Sequence, residues 1–206
     1  MPPRATFSTW MPRQIPRRGT SRSAAKRQNC LGSMRLATTI SPVLRSAWSS
    51  ASVIIPTFNR LNDLQRVLAA VQRQRDGTTG EVQLIVVDDG SSDGSFERLQ
   101  AIEGIRALRN EENLGFIGSC NRGAEKAVGE FVVMLNNDTQ VLDGWLDALL
   151  ETFEEFPDTG LAGARLVYPD GRLQEAGGIV FNDGSGWNYG RLDDPSRPEY
   201  LYTREV

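Results

Sequence analysis

The feature that most constrains the fold is the stretch at residues 131–138. Five apolar residues, Phe131–Leu135, are followed directly by Asn136, Asn137 and Asp138. A short apolar run with two valines is typical of a strand buried on both faces, as in a parallel sheet. In open α/β sheets, ligands bind beyond the carboxyl ends of the strands. This stretch therefore predicts an α/β fold with a binding site at one edge of its sheet.

Three earlier segments repeat the order of apolar strand and polar tip. Strands are predicted at Ser52–Pro56, Val82–Val87 and Ile105–Leu108, with helices between them. Strands and helices that alternate through short loops predict a doubly wound, mainly parallel sheet. Right-handed crossovers would place all its carboxyl ends along one crevice. The polar tips expected in that crevice are Thr57 and Asn59, Asp88 and Asp89, Asn110 and Asn113, and Asn136 and Asp138.

The remaining elements are predicted from the same periodicity. Pro56 cannot donate a ladder hydrogen bond, so we expect it to end the first strand. Gly129 is expected to cap a helix in the left-handed conformation. The other expected elements are helices at 61–74, 117–128 and 142–156, a fifth strand at 161–167, and a long loop after Tyr168 with a strand near Ile179.

Charge is distributed unevenly along the chain. Residues 1–50 contain nine of the 23 Lys and Arg residues and none of the 26 Asp and Glu residues. This segment has no sustained apolar periodicity, so we expect a disordered basic tail or a presequence there, and a folded domain at 51–206. The acidic composition of the remainder argues against nucleic acid as a partner, because phosphate binding requires clustered cations.

Several kinds of chemistry are disfavoured by what the sequence lacks. It contains no histidine, which excludes His-based triads and His metal ligands. Its two cysteines, Cys30 and Cys120, are expected to be free thiols in a reducing compartment. No apolar run approaches about 18 residues, so no transmembrane segment is predicted. Neither GxGxxG nor GxxxxGK[ST] occurs, which disfavours dinucleotide oxidoreductases and P-loop NTPases.

Two groups of polar residues have alternative interpretations. One carboxylate of the pair Asp88 and Asp89 could face the crevice while the other fixes the turn, or both could be capping acids. Asp138 could bind Mg²⁺ or Mn²⁺, with Asn136 as a neutral helper, because a diphosphate would supply the other oxygen ligands. Alternatively, Asp138 could be the N-cap of the following helix.

Four segments resemble the successive blocks of family-2 glycosyltransferases in order and spacing. They are SVIIPTFNR at 52–60, LIVVDDGSSDG at 84–94, NEENLGFIGSCNRG at 110–123 and FVVMLNNDTQV at 131–141. The resemblance extends from Ser52 to the end of the chain, and four ordered blocks are specific together. The stretch Tyr168–Arg204 is similar to the rhamnosyltransferase-like branch, which builds bacterial surface polysaccharides.

The resemblance implies a GT-A fold, a nucleoside-diphosphate sugar donor, a divalent cation (Mg or Mn) and inversion at the anomeric carbon. It also implies a glycan or lipid-linked acceptor, and a protein in the cytoplasm or at the inner face of the membrane. The implied nucleotide-sugar-binding residues are Pro56, Thr57, Asn59, Asp88, Asp89, Asn113, Gly115 and Asn136, and the implied metal ligand is Asp138.

The general base is the part of the family pattern that this chain does not match. The family's base is an acid in a later segment, so we expect it beyond Val206 and expect the domain to be incomplete at its C-terminus. The carboxylates available in its place are Glu175, Asp183, Asp193 and Asp194, with no reason to prefer one. A nucleotide-sugar-binding module without transfer activity is therefore an alternative. A sugar nucleotidyltransferase is a further one, although the loop at 57–60 has one cation and no glycine.

Overall fold

The computed structural model describes residues 49–75, 77–78 and 80–203. They fall into two compact units, residues 49–162 and residues 163–203. The tail or presequence predicted at residues 1–50 lies almost wholly outside the described residues.

The first unit is a four-stranded sheet with helices on both faces. All pairings are parallel, and the strand order is β3-β2-β1-β4. The predicted doubly wound parallel sheet is therefore confirmed. Its elements in chain order are β1 (Ser50–Thr57), α1 (Leu61–Arg75), β2 (Glu81–Asp88), α2 (Ser95–Gln100), β3 (Ile105–Arg109), α3 (Gly115–Ala124), β4 (Phe131–Met134) and α4 (Trp145–Glu155).

The two central strands are buried on both faces because each is an almost continuous apolar run. On one face, β1 and β2 pack against buried residues of α1, α2 and α4. On the other face, Ile54, Ile85 and Val87 form a smaller cluster, and α3 lies against β1 and β2. Helices α1 and α3 thus cover opposite faces, so the winding reverses between β1 and β4. This reversal is the switch point where open α/β sheets bind ligands.

Pro56 does not end β1 as predicted, because the strand continues to Thr57 and Pro56 lies opposite Val87. The backbone of Ile54 bonds toward β4, and its carbonyl accepts the N–H of Leu135 at 2.9 Å. Along a strand, the backbone N–H and C=O groups of alternate residues point to the same side. The backbone nitrogen of Pro56 therefore also points to the β4 side, beyond the end of that strand. No ladder donor is lost there, which is why β1 tolerates a proline.

Helix α3 ends at Ala124 rather than Val128, and Gly129 is not a left-handed cap. A Cβ at Gly129 would lie 2.6 Å from backbone atoms of Ala51 and Ser52. Glycine is needed here for a close approach of two chain segments, not for a positive φ.

On helix α3, Cys120 is a free, buried thiol, as expected, and burial raises its pKa.

Two further boundaries differ from the prediction. Helix α4 begins at Trp145, after Gly144 in the left-handed conformation, rather than at Leu142. The fifth strand predicted at 161–167 is wrong, because only Leu166–Val167 is a strand and it pairs antiparallel outside the main sheet. Leu161 is 90% exposed, so its side chain does not pack into a core as the side chains of a buried strand do.

The second unit consists of two short antiparallel pairs and a 3₁₀ turn. The strand near Ile179 is confirmed, but the segment expected to be otherwise loop contains further strands. The strands of this unit are β5 (Leu166–Val167), which precedes Tyr168, the further strands β6 (Leu173–Glu175) and β8 (Gly186–Asn188), and the predicted strand β7 (Gly178–Val180); the turn at Pro198–Tyr200 follows them. Leu173 is fully buried, and the rings of Tyr189 and Tyr200 meet edge to face at 5.4 Å. Across both units, none of the described helices has the length and apolarity to cross a membrane.

Candidate functional site

The predicted polar tips lie at the carboxyl ends of four adjacent parallel strands, and hence at one edge of the sheet. At the ends of β1, β2 and β3, four of these residues are buried, whereas Asn59 and Asn113 are exposed. Thr57 is 3% exposed, Asp88 and Asn110 are fully buried, and Asp89 is 4% exposed. After β4, by contrast, Asn136 and Asp138 are exposed.

Asp89 fixes the start of α3 against the end of β2. Its Oδ1 accepts hydrogen bonds from Asn110 Nδ2 at 2.6 Å and from the Leu114 N–H at 2.8 Å. Its Oδ2 accepts the N–H of Gly115 at 2.9 Å, and the side chain of Asn113 accepts the same N–H at 3.1 Å. A carboxylate is favourable at this position because a helix N-terminus carries partial positive charge. Asp89, Asn113 and Gly115 therefore meet as predicted, through bonds that order the loop before α3.

Asn110 is the centre of this buried network, although the sequence did not place it among the binding residues. Its Nδ2 donates to Asp89 and, at 3.0 Å, to the hydroxyl of Ser119. Its Oδ1 accepts a hydrogen bond from Arg122 at 2.7 Å. The sequence signal for Asn110 was its position at a strand end, but its partners are distant in the chain.

Asp88 faces the opposite way and supports the turn after β2. Its Oδ2 accepts the N–H of Ser91 at 3.2 Å and lies 3.7 Å from Nε of Arg109. Arg109 also donates to the Ser91 carbonyl at 3.1 Å and stacks over the Phe96 ring at 4.9 Å. Oδ1 of Asp88 is buried and has no partner within the described residues. A buried unpaired oxygen is costly, which is consistent with a site whose polar groups are not all satisfied internally.

The loops after β1 and β2 are bonded to each other. Asn59, with a φ of 50°, donates its N–H to Ser91 Oγ at 2.9 Å and accepts the Ser92 N–H at 2.8 Å. Asp93 accepts the N–H of Leu61 at 3.1 Å and both donors of Ser95. Burial alone would raise the pKa of Asp93, but these hydrogen bonds outweigh it and hold the pKa below its usual value. The two loops therefore form one preorganised surface.

The loop after β4 is attached to β1 by a single side chain. Asn137 Nδ2 donates to Thr57 Oγ1 at 2.9 Å. The carbonyl of Asn136 accepts the N–H of Thr139 at 3.2 Å, which closes a tight turn around Asp138. Helix α4 is capped at Gly144, so the interpretation of Asp138 as its N-cap is wrong.

The residues after β4 fit a cation that is shared with a ligand. Within the described part of the chain, no group of three or more acidic or cysteine side chains could hold a metal by itself. Asp138 is exposed, and its carboxylate has no hydrogen-bond or ion-pair partner among the described residues. Mg²⁺ bound mainly by a substrate diphosphate and water needs only one or two protein carboxylates. The exposed amide of Asn136 can supply a further oxygen ligand.

The four candidate bases in the second unit differ in their surroundings. Hydrogen bonds from Ser185 and Ser196 lower the pKa of Asp183 and Asp194, respectively. Bonds from the Asp194 backbone and the Tyr200 hydroxyl lower that of Asp193. Burial raises the pKa of Glu175. Of these four groups, Glu175 is the one shifted in the direction that suits a general base.

Comparison with known proteins gives the family. Residues 52–200 match the model of Glycosyl transferase family 2. A GalNAc(5)-diNAcBac-PP-undecaprenol beta-1,3-glucosyltransferase of Campylobacter jejuni is 34% identical over 109 residues, covering 50% of this chain and 34% of that protein. A glucosyl-dolichyl phosphate glucuronosyltransferase of Haloferax volcanii is 30% identical over 125 residues, which cover 58% of this chain and 38% of that protein. The protein in the crystal structure of S. aureus TarS 1-349 in complex with UDP is 25% identical in sequence, with a TM-score of 0.47. The match covers 52% of this chain and 32% of that chain.

The chain spans about a third of the length of each of these proteins. The family match covers most of this chain, including all four strands of the parallel sheet. It agrees with the observed strand order and with the predicted GT-A type of α/β fold. The chain therefore belongs to glycosyl transferase family 2.

Proposed function

We propose that the carboxyl ends of β1 to β4 bind a nucleoside-diphosphate sugar. We further propose that the enzyme transfers the sugar, with inversion, to a glycan or lipid-linked acceptor. The observation that carries this proposal is the convergence of four polar strand ends around the switch point of the sheet, beside an exposed carboxylate that has no partner among the described residues. Membership of the family supports glycosyl transfer as the reaction, in preference to nucleotidyl transfer.

The nucleotide would lie against the bonded loops after β1 and β2. One side of the pocket would be lined by Pro56, Thr57 and Asn59, and the other by Asp88, Asp89, Asn113 and Gly115. The internal hydrogen bonds of these loops support this arrangement, because a preorganised site loses less entropy when a ligand binds. Asp138 would hold the divalent cation, with Asn136 beside it. When bound, that cation offsets the negative charge that develops on the leaving nucleoside diphosphate.

The sugar and the pathway are a narrower proposal. Resemblance to the rhamnosyltransferase-like branch favours a hexosyl or rhamnosyl donor and a role in polysaccharide synthesis at the cytoplasmic face of the membrane. A base must still remove the proton of the acceptor hydroxyl.

The first test is titration of the purified chain with UDP and with dTDP, each with and without Mn²⁺. We expect Mn²⁺ to strengthen binding of one nucleotide, and Asp138→Ala to remove this effect. Asp143→Ala is the matched control, because Asp143 is an exposed acid of the same connection between β4 and α4. The proposal is contradicted if the folded wild-type chain binds neither nucleotide, or if Asp138→Ala keeps the full effect of Mn²⁺.

A further inference from the structure

We propose that Asn137 is a positioning residue for the donor site. Its side-chain amide, bonded to Thr57, would hold the loop that carries Asp138 beside the end of β1, where the carboxylate can reach a diphosphate-bound cation. This inference rests on the proposed function, because it takes Asp138 as the cation ligand.

The bond between Asn137 and Thr57 crosses the switch point of the sheet. The ladder between β1 and β4 ends with the pair Ile54 and Met134 and the hydrogen bond from Leu135 to Ile54. Beyond that point the two strands make no further ladder bonds, and the ligand crevice of an open α/β sheet lies in this place. The 2.9 Å bond from Asn137 Nδ2 to Thr57 Oγ1 is the link between the two chain segments there.

Asn137 is also the one side-chain attachment of its loop. In the described structure, Asn137 has the only side-chain hydrogen bond of residues 136–140. The next fixed point is Val141, which is 8% exposed and whose carbonyl accepts Gln74 Nε2 at 3.4 Å. The position of Asp138 relative to the sheet therefore depends on the side chain that precedes it.

Thr57 connects this loop to the other side of the site. Its hydroxyl accepts the bond from Asn137, and its carbonyl accepts the N–H of Asp89 at 2.9 Å. Thr57 is 3% exposed and Asn137 is half-buried, so the bond between them is partly shielded from water. The loop that carries the cation ligand and the end of β2 are thus held by the same residue. A site with one carboxylate needs such support, because small misplacements of a ligand group are costly.

The test is a double-mutant cycle on the metal-dependent part of nucleotide binding. The measured quantity is the ratio of nucleotide affinity with Mn²⁺ to nucleotide affinity without it, for whichever of UDP and dTDP the wild type binds. This ratio removes general effects of each substitution. We expect Asn137→Ala and Thr57→Val each to lower this ratio by about tenfold, the effect typical of losing a group that orients a metal ligand. The double variant should lose no more than the larger single loss, because both substitutions break the same bond.

Two controls separate positioning from general damage. Gln140→Ala changes an exposed side chain of the same loop and should keep the wild-type ratio. Thr57→Ser keeps the hydroxyl and should lose less than Thr57→Val. Without nucleotide or metal, backbone amides of residues 136–140 should exchange hydrogen faster in Asn137→Ala than in Gln140→Ala.

The outcomes distinguish the inference from the function on which it rests. If Asp138→Ala loses the Mn²⁺ effect while Asn137→Ala keeps it, the positioning role is wrong and the donor site stands. The positioning role would also be overturned if the ratio in the double variant fell by the product of the two single losses, about a hundredfold. If wild-type protein shows Mn²⁺-dependent binding of neither UDP nor dTDP, both the donor site and the positioning role are overturned.

Discussion

At the scale of single residues, the strand ends contain two kinds of acid. Asp89 accepts three hydrogen bonds from within the protein, two of them from the first backbone amides of the α3 region. Asp138 is exposed and accepts none from the described residues. Substitution of Asp89 would therefore disturb the fold and the site together. Removal of Asp138 is expected to leave the fold intact, so this substitution tests the proposed role in ligand binding separately from stability.

Asp93 should make the stability of the chain depend on pH. At neutral pH, Asp93→Ala should lower the free energy of unfolding by about 1 kcal/mol, because it removes the acceptor for the first N–H groups of two helices. The folded-state pKa of Asp93 lies below its usual value of about 3.9. Its contribution is therefore complete above that value and is lost as the pH falls through the folded-state pKa.

Urea unfolding of the wild type and of Asp93→Ala at pH 7 and near pH 3 measures this contribution. The difference between the two proteins should shrink at the lower pH. Asp158→Ala is the control, because Asp158 is an exposed acid without a described partner. A difference of the same size at both pH values would show that the charge of Asp93 does not stabilise the fold.

At the scale of secondary-structure elements, α3 approaches the sheet through small residues. Its buried positions are Ser119, Cys120 and Gly123. A Cβ at Gly123 would lie 2.4 Å from Cγ2 of Ile54 and 3.3 Å from Cγ2 of Val87. The glycine therefore sets the distance between α3 and the strands β1 and β2, and with it the position of the helix N-terminus beside Asp89.

Gly123→Ala should destabilise the protein by about 1–3 kcal/mol, the range for overpacking a core. Within a helix, alanine is more favourable than glycine by about 1 kcal/mol. A stabilising result for Gly123→Ala would therefore show that α3 can move away from the sheet at little cost. Gly160→Ala is the matched control, because an added Cβ there meets no atom within 4 Å. Thermal and urea unfolding of the three proteins measure the difference.

Strands β1 and β2 were predictable because a strand buried on both faces is a local apolar run in the sequence. The apolar run at 131–135 also predicted a buried strand, but β4 is an edge strand in which Val132 and Met134 are 46% and 40% exposed. Boundaries that depend on distant contacts were not predictable. Gly129 has the sequence context of a helix cap, but it is required by the backbone of β1, which lies far away in the chain. The apolar residues at 161–167 matched a strand pattern, but burial of such a run cannot be deduced from the run itself.

The candidate site, like the fold, was only partly predictable from the sequence. The tips Asp88, Asp89 and Asp138 could be located from where each strand ends. Their internal partners could not, because pairs such as Thr57 and Asn137 are 80 positions apart in sequence. The roles of these residues in binding a donor remain predictions that need a ligand to test.

At the scale of the whole molecule, the strand order determines where the candidate site lies. Reversal of the winding between β1 and β4 creates the crevice, and the loops after all four strands supply its polar groups. Family membership supports glycosyl transfer as the proposed reaction. The central proposal is therefore positional: a nucleoside diphosphate would bind at this edge of the sheet, with its cation on Asp138.

A crystal structure of the chain with UDP and Mn²⁺ tests that claim most directly, because anomalous scattering locates the manganese independently of the refined coordinates. The account predicts a manganese peak within coordination distance of the Asp138 carboxylate, about 2.1 Å for a small divalent cation, and a nucleotide base against the loops after β1 and β2. A nucleotide bound elsewhere on the molecule, or manganese bound away from Asp138, would contradict it.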